Sequence, residues 1–433
     1  MIAPQLDWAV GTIRRNARLM AGVVALIAVG AGVAVSILSV LGAITQDPIP
    51  GRSDSLYSPR FDPRSEVEMS VDASPPKLLS WIDANNLARG GPSGEVALSA
   101  GGVGMVTGTR AQRATKMNLR YANAAFFGTF DVPFKAGSGW SSADDTERSR
   151  YVVLSSDAAA RLFGDKRPVG ERVVINGTGF SVLGVVGKWD PTPRFYDLSK
   201  GGFNTKDEVF LPLSTAMQLK LPVVADFNCW GAGWSQIAAL ETASCGWLTM
   251  WVHLPDQSGK QAYLTFLRQY YSSQKESGRF ELPANVSLQG VEDYLDEAGL
   301  VTPELKLQTY LAYGLLSVCL INAAALLLSL SLRRRREFAL RRALGASQLD
   351  IVNQALFEGA LVGLIAGVFA VLVSFTGLYL LARLPTLYSS VIHGDPNTFV
   401  AAIVLSVVAS VTSSLFPAWA SARAKPLNNL NVE

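Results

Sequence analysis

The sequence predicts a polytopic α-helical membrane protein with four transmembrane helices, one before and three after a large α/β domain outside the cytoplasm. Composition gives the first indication, because 49% of the 433 residues are hydrophobic and 17% are charged, which is more apolar than an ordinary soluble domain. The second indication is a set of four apolar stretches, each longer than the roughly 20 helical residues that cross a bilayer. The third is the long segment between the first two stretches, which mixes glycine, proline and charge with short β-like strings.

We predict the four spans at residues 19–46, 307–332, 351–384 and 397–422. The first stretch follows basic residues, as a signal peptide does, but its apolar run far exceeds the usual length of about 7 to 15 residues, so we interpret it as a retained span. Only Glu358 and Arg383, near the ends of the third span, carry charge within these segments. Ion-coupled transporters usually place charged groups at membrane depth, so a charged substrate path through the bilayer is not expected.

Basic residues predict the orientation of the chain. They precede span one, separate spans two and three, and follow span four: Arg14, Arg15, Arg18, Arg333 to Arg336, Arg341, Arg342, Arg423 and Lys425. The positive-inside rule places the N-terminus (1–18), the loop 333–350 and the C-terminal tail (423–433) in the cytoplasm. Residues 47–306 and the short loop 385–396 then lie outside it.

Residues 47–306 form a segment that is long enough to bury its own core. Its strings of β-branched residues and its helical patterns predict an α/β domain in two parts, and a final strand, helix and strand are expected to pack back on the first part. The net charge of the chain is only +3, and no basic stripe is interleaved with aromatic residues. Nucleic acid is therefore not an expected partner.

Two cysteines of this segment, Cys229 and Cys245, enclose a loop of suitable size for a disulfide worth roughly 3 kcal/mol in the chain-entropy model. An oxidising compartment favours the bond, and two unpaired core thiols are the alternative. The third cysteine, Cys319, falls inside span two.

Four tryptophans crowd around this cysteine pair: Trp230, Trp234, Trp247 and Trp251. Indole rings combine a large apolar body with one hydrogen-bond donor, so the cluster could offer a surface to an apolar substrate or a partner protein. A local hydrophobic core is the other interpretation, and the more common one.

Gly359, Gly363 and Gly367 recur at every fourth residue in span three. Such a row of small residues lets two helices approach closely, so it predicts packing against another span or against a second copy of a permease. The alternative is that the spacing reflects flexibility or chance in a glycine-rich protein.

The string from Leu332 to Ser347 predicts a short helix just inside the membrane. Glu337 can pair with Arg341 one turn later, Gly345 is a natural helix stop, and Ser347 with Asp350 matches a capping box that opens the next helix. Taken alone, the arginines are typical of an anchor at lipid head groups.

The whole string, however, closely resembles the Arg-Arg-Arg-Glu-x-x-x-x-Arg-Ala-Leu-Gly-Ala signature of MacB/FtsX-like permeases, the type VII ABC transporters. In that family the short helix is a coupling helix that docks on a nucleotide-binding protein or domain. By resemblance, this role falls on Arg336, Glu337, Arg341, Arg342, Ala343, Leu344 and Gly345.

The resemblance extends to the family's periplasmic core, through Asn123 to Phe127, Val152 to Ser155, Arg161 to Gly164, Pro168 to Gly170, Ile175 to Gly177 and Val209 to Ser214. It implies a Porter-like part at about 47–140 and 249–300, and a Sabre-like part at about 141–248. The tryptophan-rich insert and the C-terminal ending both depart from the family pattern.

No catalytic residue or metal ligand is expected in this chain. The sequence lacks the Gly-x-x-x-x-Gly-Lys-Ser/Thr motif that cradles phosphate, and it contains neither a His-Glu-x-x-His pair nor a Gly-x-Ser-x-Gly elbow. The expectation is a non-catalytic permease subunit, with ATP and magnesium bound by a separate ABC ATPase.

By resemblance, the chain is expected in a bacterial inner membrane, where it exports a hydrophobic or amphiphilic substrate (a peptide, lipopeptide or antibiotic) by mechanotransmission. The implied partners are an ATPase dimer, a second permease protomer, a periplasmic adaptor and a TolC-like outer-membrane channel, with membrane lipid around the spans. Lipoprotein release and FtsX-like regulation of a cell-wall hydrolase remain alternatives.

Overall fold

The computed structural model describes residues 11–65, 75–92, 95–108, 113–199, 202–203, 206–230, 239–383 and 396–422. The chain forms two compact units, Met1–Thr45 with Val301–Glu433, and Gln46–Leu300. The first unit contains the apolar helices and is called the membrane unit below. The second is the large α/β domain.

Four helices among the described residues are long and apolar enough to cross a membrane, which confirms the predicted architecture. We number them spans one to four: Ala17–Thr45, Pro303–Arg333, Gln348–Arg383 and Pro396–Ala422. Span two begins four residues before its predicted start, because the Thr302 hydroxyl accepts a hydrogen bond from the N–H of Leu305 and Pro303 fits the first helical turn. The polar residues of this first turn therefore belong to the helix, although the apolar stretch in the sequence begins after them.

The membrane unit packs mainly through small and branched side chains. Ala323, Ala366 and Ala409 from spans two, three and four are buried with Val23 and Ile27 of span one. Small residues permit the short distances between helices that dispersion forces require in a bilayer, where burial from water contributes little to helix association. Span one accordingly lies against each of the other three spans.

The α/β domain is built on one sheet of eleven described strands. The strands are β1 Leu56–Arg60, β2 Val96–Thr107, β3 Thr115–Ala122, β4 Phe134–Gly137, β5 Tyr151–Ser155, β6 Arg172–Ile175, β7 Thr178–Val186, β8 Val209–Pro212, β9 Val223–Val224, β12 Thr249–His253 and β13 Ser287–Gly290. Nine of them follow the order β13-β1-β12-β2-β3-β8-β5-β7-β4, while β6 pairs with β2 and β7, and β9 pairs with β2. A separate ribbon pairs β10 Asn228–Cys229 with β11 Cys245–Gly246.

Helices flank this sheet: Trp81–Gly90, Phe126–Thr129, Ser142–Glu147, Ser156–Phe163, Leu213–Gln218, Gln257–Glu276 and Val291–Glu297. Polar side chains define several of their starts, as where the Ser80 and Ser155 hydroxyls accept hydrogen bonds from backbone N–H groups. The last strand, helix and strand pack back as expected, since β12 pairs with both β1 and β2 and β13 pairs with β1.

The two expected parts of the domain share this sheet. Strand β3 of the first part pairs in parallel with β8 of the second, from Leu119 opposite Val209 to Ala122 opposite Pro212. Side chains alternate across each strand, so β12 directs Met250 and Val252 into the larger core and Trp251 into a smaller, aromatic core. One sheet thus separates two hydrophobic cores.

Candidate functional site

The short helix Arg335–Ala343 lies between spans two and three and is called the juxtamembrane helix here. It ends where Gly345 adopts φ +99°, a left-handed conformation that costs glycine little. The N–H of Ala346 then donates to the Arg341 carbonyl at 3.0 Å. The predicted capping box follows, as the Ser347 N–H donates to the Asp350 carboxylate at 2.9 Å and the Asp350 N–H donates to the Ser347 hydroxyl at 3.1 Å.

The juxtamembrane helix has two distinct faces. Phe338 and Ala339 are 6% and 2% exposed and pack into the membrane unit, whereas Leu340 is 57% exposed. Leu344, one turn further on, is 82% exposed, and Arg336, one turn before Leu340, is also exposed. The helical spacing of these three residues places them on one side of the chain. We call this side the outer face.

Two predicted coupling residues, Glu337 and Arg341, contact their own chain. The expected pair between them is present, with Glu337 Oε1 3.8 Å from Arg341 Nη2. Arg341 Nη1 also donates to Gln354 Oε1 of span three at 2.6 Å. Ala343 and Gly345 are exposed, and the side chain of Arg342 lies outside the described residues.

The predicted disulfide between Cys229 and Cys245 is present in the structure. It joins directly opposed residues of β10 and β11. The cysteine pair therefore ties the small ribbon together at its centre.

The proposed tryptophan surface is wrong for Trp247 and Trp251, because each is only 1% exposed. Trp247 stacks on Trp81 with ring centroids 6.1 Å apart, and Trp251 packs edge-on against Phe195 at 4.8 Å. The segment that flanks β12 directs the Trp247 ring into one hydrophobic core, and β12 directs the Trp251 ring into the other. Both rings therefore serve as core packing. Trp230 is half-buried, and Trp234 lies outside the described residues.

The glycine row of span three lies against span four. A Cβ on Gly363 would come within 2.7 Å of the Cα of Val407, and one on Gly367 within 3.0 Å of the Cα of Ile403. At Gly359, the backbone carbonyl accepts a 2.6 Å hydrogen bond from Ser410 Oγ. The sequence left open whether the glycine row packs against another span or against a second permease copy. In this structure it contacts another span.

A buried ionic cluster in the α/β domain had no signal in the sequence. Arg120 of β3 is 2% exposed and contacts two carboxylates, with Nη1 2.7 Å from Asp197 and Nη2 3.0 Å from Asp207. The Tyr196 hydroxyl donates to Asp207 at 2.9 Å. Burial lowers the pKa of Arg120, but the charges of Asp207 and Asp197 outweigh it and the net pKa lies above its ordinary value. Burial likewise raises the pKa of Asp197, but the Arg120 charge and the hydrogen bonds from Ser199 together outweigh burial, so the net pKa of Asp197 is lowered.

Beside this cluster lies a cavity of about 940 Å³, a volume typical of small-molecule sites. Trp189, Tyr196 and Phe210 supply aromatic surface in its lining. Its charged lining is mixed, since Lys135 and Lys188 share it with four acidic side chains.

The sequence matches two family models that together cover most of the chain. Residues 20–257 match the MacB-like periplasmic core domain, and residues 310–426 match the FtsX-like permease C-terminal model. The chain therefore belongs to the MacB/FtsX-like family of ABC transporter permeases, which confirms the resemblance found in the sequence. Four apolar helices and a periplasmic-type domain fit a protein of the bacterial inner membrane.

Among curated relatives, the pyoverdine export ATP-binding/permease protein PvdT of Pseudomonas fluorescens (strain Pf0-1) is 24% identical over 423 residues, covering 96% of this chain and 55% of that protein. The macrolide export ATP-binding/permease protein MacB of Aggregatibacter actinomycetemcomitans is 24% identical over 303 residues, covering 68% and 40%. The chain spans about half the length of the curated relatives it matches.

The periplasmic region of MacB from Actinobacillus actinomycetemcomitans is a similar solved structure. It matches with a TM-score of 0.37 and 16% sequence identity, over 58% of this chain and 94% of that chain.

Proposed function

We propose that this chain is the membrane subunit of an ABC transporter that works by mechanotransmission, in which a separate ATPase moves the spans and the periplasmic domain acts on a substrate already outside the cytoplasm. One observation carries the proposal. The juxtamembrane helix presents an outer face of Leu340 and Leu344, with Arg336 beside them, at a position where the family's coupling helix docks. Two neighbouring exposed leucines on one helix form an apolar patch, which is the kind of surface that a partner protein covers.

The orientation follows from the same segment. Arginines crowd the juxtamembrane helix and its flanks, whereas the described connection into span two, from Val291 to Glu304, contains five acidic residues and no Lys or Arg. The positive-inside rule then places this helix and both termini in the cytoplasm. The outer face is thereby available to a cytoplasmic ATPase.

ATP hydrolysis is assigned to that partner because the 433 residues contain no P-loop motif. By family resemblance, a dimer of ATPases engages two permease protomers. The glycine row of span three already packs on span four, so it supports packing within one protomer.

The proposed cargo is a hydrophobic or amphiphilic compound such as a peptide, lipopeptide or antibiotic. Two relatives are named for the export of pyoverdine and macrolides. The spans of this chain carry almost no charge, which supports their use as levers instead of as a charged path. Porter-like and Sabre-like parts, a periplasmic adaptor and a TolC-like channel complete the proposed assembly.

Purification of the affinity-tagged chain from its native membranes, followed by mass spectrometry of bound proteins, tests this proposal. An ABC ATPase, an adaptor and an outer-membrane channel are the expected partners. A cell-wall hydrolase in their place would identify a regulatory transmitter, and accumulation of inner-membrane lipoproteins on depletion would identify a lipoprotein-releasing permease. Recovery of no ATPase would overturn the proposal as a whole.

A further inference from the structure

Five side chains around the juxtamembrane helix contact one another in a continuous cycle, which we call the polar ring: Arg334, Glu337, Arg341, Gln354 and Glu358. Arg334 Nη1 donates to Glu358 at 3.0 Å, and Arg334 Nε lies 3.4 Å from Glu337. Glu337 lies 3.8 Å from Arg341, and Arg341 donates a hydrogen bond to Gln354 at 2.6 Å. Gln354 Nε2, 3.4 Å from Glu358 Oε1, closes the ring.

Helical geometry explains why these residues meet. Arg334, Glu337 and Arg341 follow one another at spacings of three and four, so they lie along one side of the juxtamembrane helix, next to the outer face. Gln354 and Glu358 are one turn apart on span three. Two aligned helical rows thus contact each other at two points.

In the sequence, Glu358 is notable only as a charge that interrupts an apolar span. Its side chain is 12% exposed and that of Arg334 is 11% exposed, so each ion is shielded from water and needs the other. A carboxylate at this depth is costly unless it is paired. Its presence therefore indicates a specific attachment between span three and the segment that precedes the juxtamembrane helix.

We propose that Arg334 and Arg341 are positioning residues that tether the juxtamembrane helix to Glu358 and Gln354, so that a displacement of its outer face by the ATPase moves span three with it. This inference rests on the proposed function for the source of the displacement. It assigns docking and transmission to two neighbouring sides of one helix. The outer face binds the partner, and the polar ring passes the movement on.

The test compares Arg334→Gln and Glu358→Gln with the reversed pair Arg334→Glu/Glu358→Arg. Arg333→Gln is the matched control, because Arg333 is the neighbouring exposed arginine and pairs with no other described residue. Each full-length variant is purified with its ATPase, placed in lipid nanodiscs and studied by hydrogen–deuterium exchange, with and without ATP and orthovanadate. The readouts are ATPase retention and the nucleotide-induced change in exchange beyond the ring.

We expect both single variants to retain the ATPase as the native chain does, while the nucleotide-induced change falls about fivefold to tenfold, as for the loss of one partly buried contact. The reversed pair should restore it, and Arg333→Gln should leave it unaltered. A nucleotide-induced change in exchange that stays at the native level in Arg334→Gln, or that the reversed pair does not restore, would overturn the proposed tether. Loss of ATPase binding in the single variants would also overturn it, because the ring would then belong to the docking surface.

Exchange in the chain without its partner separates this inference from the proposed function. In that preparation, Arg334→Gln should speed exchange of residues 335–343 about fivefold relative to Arg333→Gln. The helix can then open locally without the free-energy cost of breaking the contact between Arg334 and Glu358. Equal exchange in the two variants would refute the tether whatever the partner is. Absence of any ATPase from the native preparation would instead refute the proposed function and the transmission that depends on it.

Discussion

The periplasmic domain and the membrane unit both contain paired charges, but they shield them from water to different degrees. The side chains of Arg120 and Asp207 are 2% and 4% exposed, and a second carboxylate on Arg120 completes the cluster. In the polar ring, Glu337 and Arg341 are 33% and 32% exposed and lie 3.8 Å apart. One cluster is enclosed by protein and the other is open to solvent on one side.

The difference separates two mechanical tasks. Removal of one partner from an enclosed ion pair leaves an uncompensated charge, which makes the arrangement costly to disturb. Partly solvated pairs exchange protein contacts for water at little cost. The enclosed cluster therefore suits a domain that must keep its shape. In the ring, the shielded Arg334–Glu358 pair suits a lasting attachment, whereas the open Glu337–Arg341 pair can adjust around it.

The largest expected effect comes from opening the enclosed cluster. Arg120→Ala leaves Asp197 and Asp207 buried without their cation, so we expect a loss of about 3–5 kcal/mol in the unfolding free energy of the periplasmic domain. Urea unfolding of the purified chain, followed by tryptophan fluorescence, measures it. Arg172→Ala, an exposed arginine on β6, is the control and should change stability by less than about 0.5 kcal/mol. Similar losses in both variants would remove the contrast between enclosed and open charges.

The disulfide adds a covalent constraint to the same domain. Its cysteines are 16 residues apart, and a loop of that length predicts a loss of about 3 kcal/mol on replacing both by serine. Reduction of the native chain should give the same shift in urea midpoint, and reduction of the double variant should add nothing. An unaltered midpoint would show that this ribbon does not contribute to the rigidity of the domain.

In the membrane unit, close helix approach takes the place of enclosed charge. Gly363→Leu forces side-chain atoms into the backbone of span four, so we expect a loss of about 1–3 kcal/mol, seen as a lower melting temperature in detergent. Gly314→Leu in span two is the matched control, because a Cβ there meets nothing within 4 Å. If both variants melt alike, packing of the glycine row does not hold spans three and four together.

A smaller effect is expected from a carboxylate of the periplasmic domain for which the described residues provide no cationic partner. Burial raises the pKa of Asp145 to about 6, although its carboxylate accepts a 2.5 Å hydrogen bond from the Ala124 N–H. The folded state therefore favours the protonated acid, and the stability it contributes is present below about pH 4 and lost as pH rises through 6. Asp145→Asn should be more stable than the native domain by about 1–2 kcal/mol at pH 7.5, allowing for partial exposure. At pH 4 the two should unfold alike, and a constant difference across this range would contradict the assignment.

Sequence was most informative where structure depends on neighbours along the chain. Span positions, the Gly345 stop and the Ser347 cap are local properties. The stop and the cap are present as expected, and the span bounds agree to within four residues. Strand pairing is not local, and nothing near Arg120 indicates a partner 87 residues away at Asp207. The tryptophan error has the same origin, because alternation along β12 shows that Trp251 faces opposite to Met250 but does not show that a second core covers it.

The polar ring lies between these cases. The pair Glu337–Arg341 could be predicted from helical spacing, whereas its connection to Gln354 and Glu358 required the chain to turn at Gly345 and bring span three alongside. A charge inside an apolar span was the available signal. It pointed to a partner without identifying it.

The most direct test of the central claim is the amount of ATPase retained by the purified chain when the outer face is made polar. Leu340→Gln/Leu344→Gln alters two exposed leucines and leaves the polar ring in place. We predict a loss of retained ATPase of about tenfold or more, since a few residues near the centre of an interface contribute most of its binding energy, with native retention in Arg333→Gln. Native retention in the double-leucine variant would contradict the assignment of this helix as the docking surface.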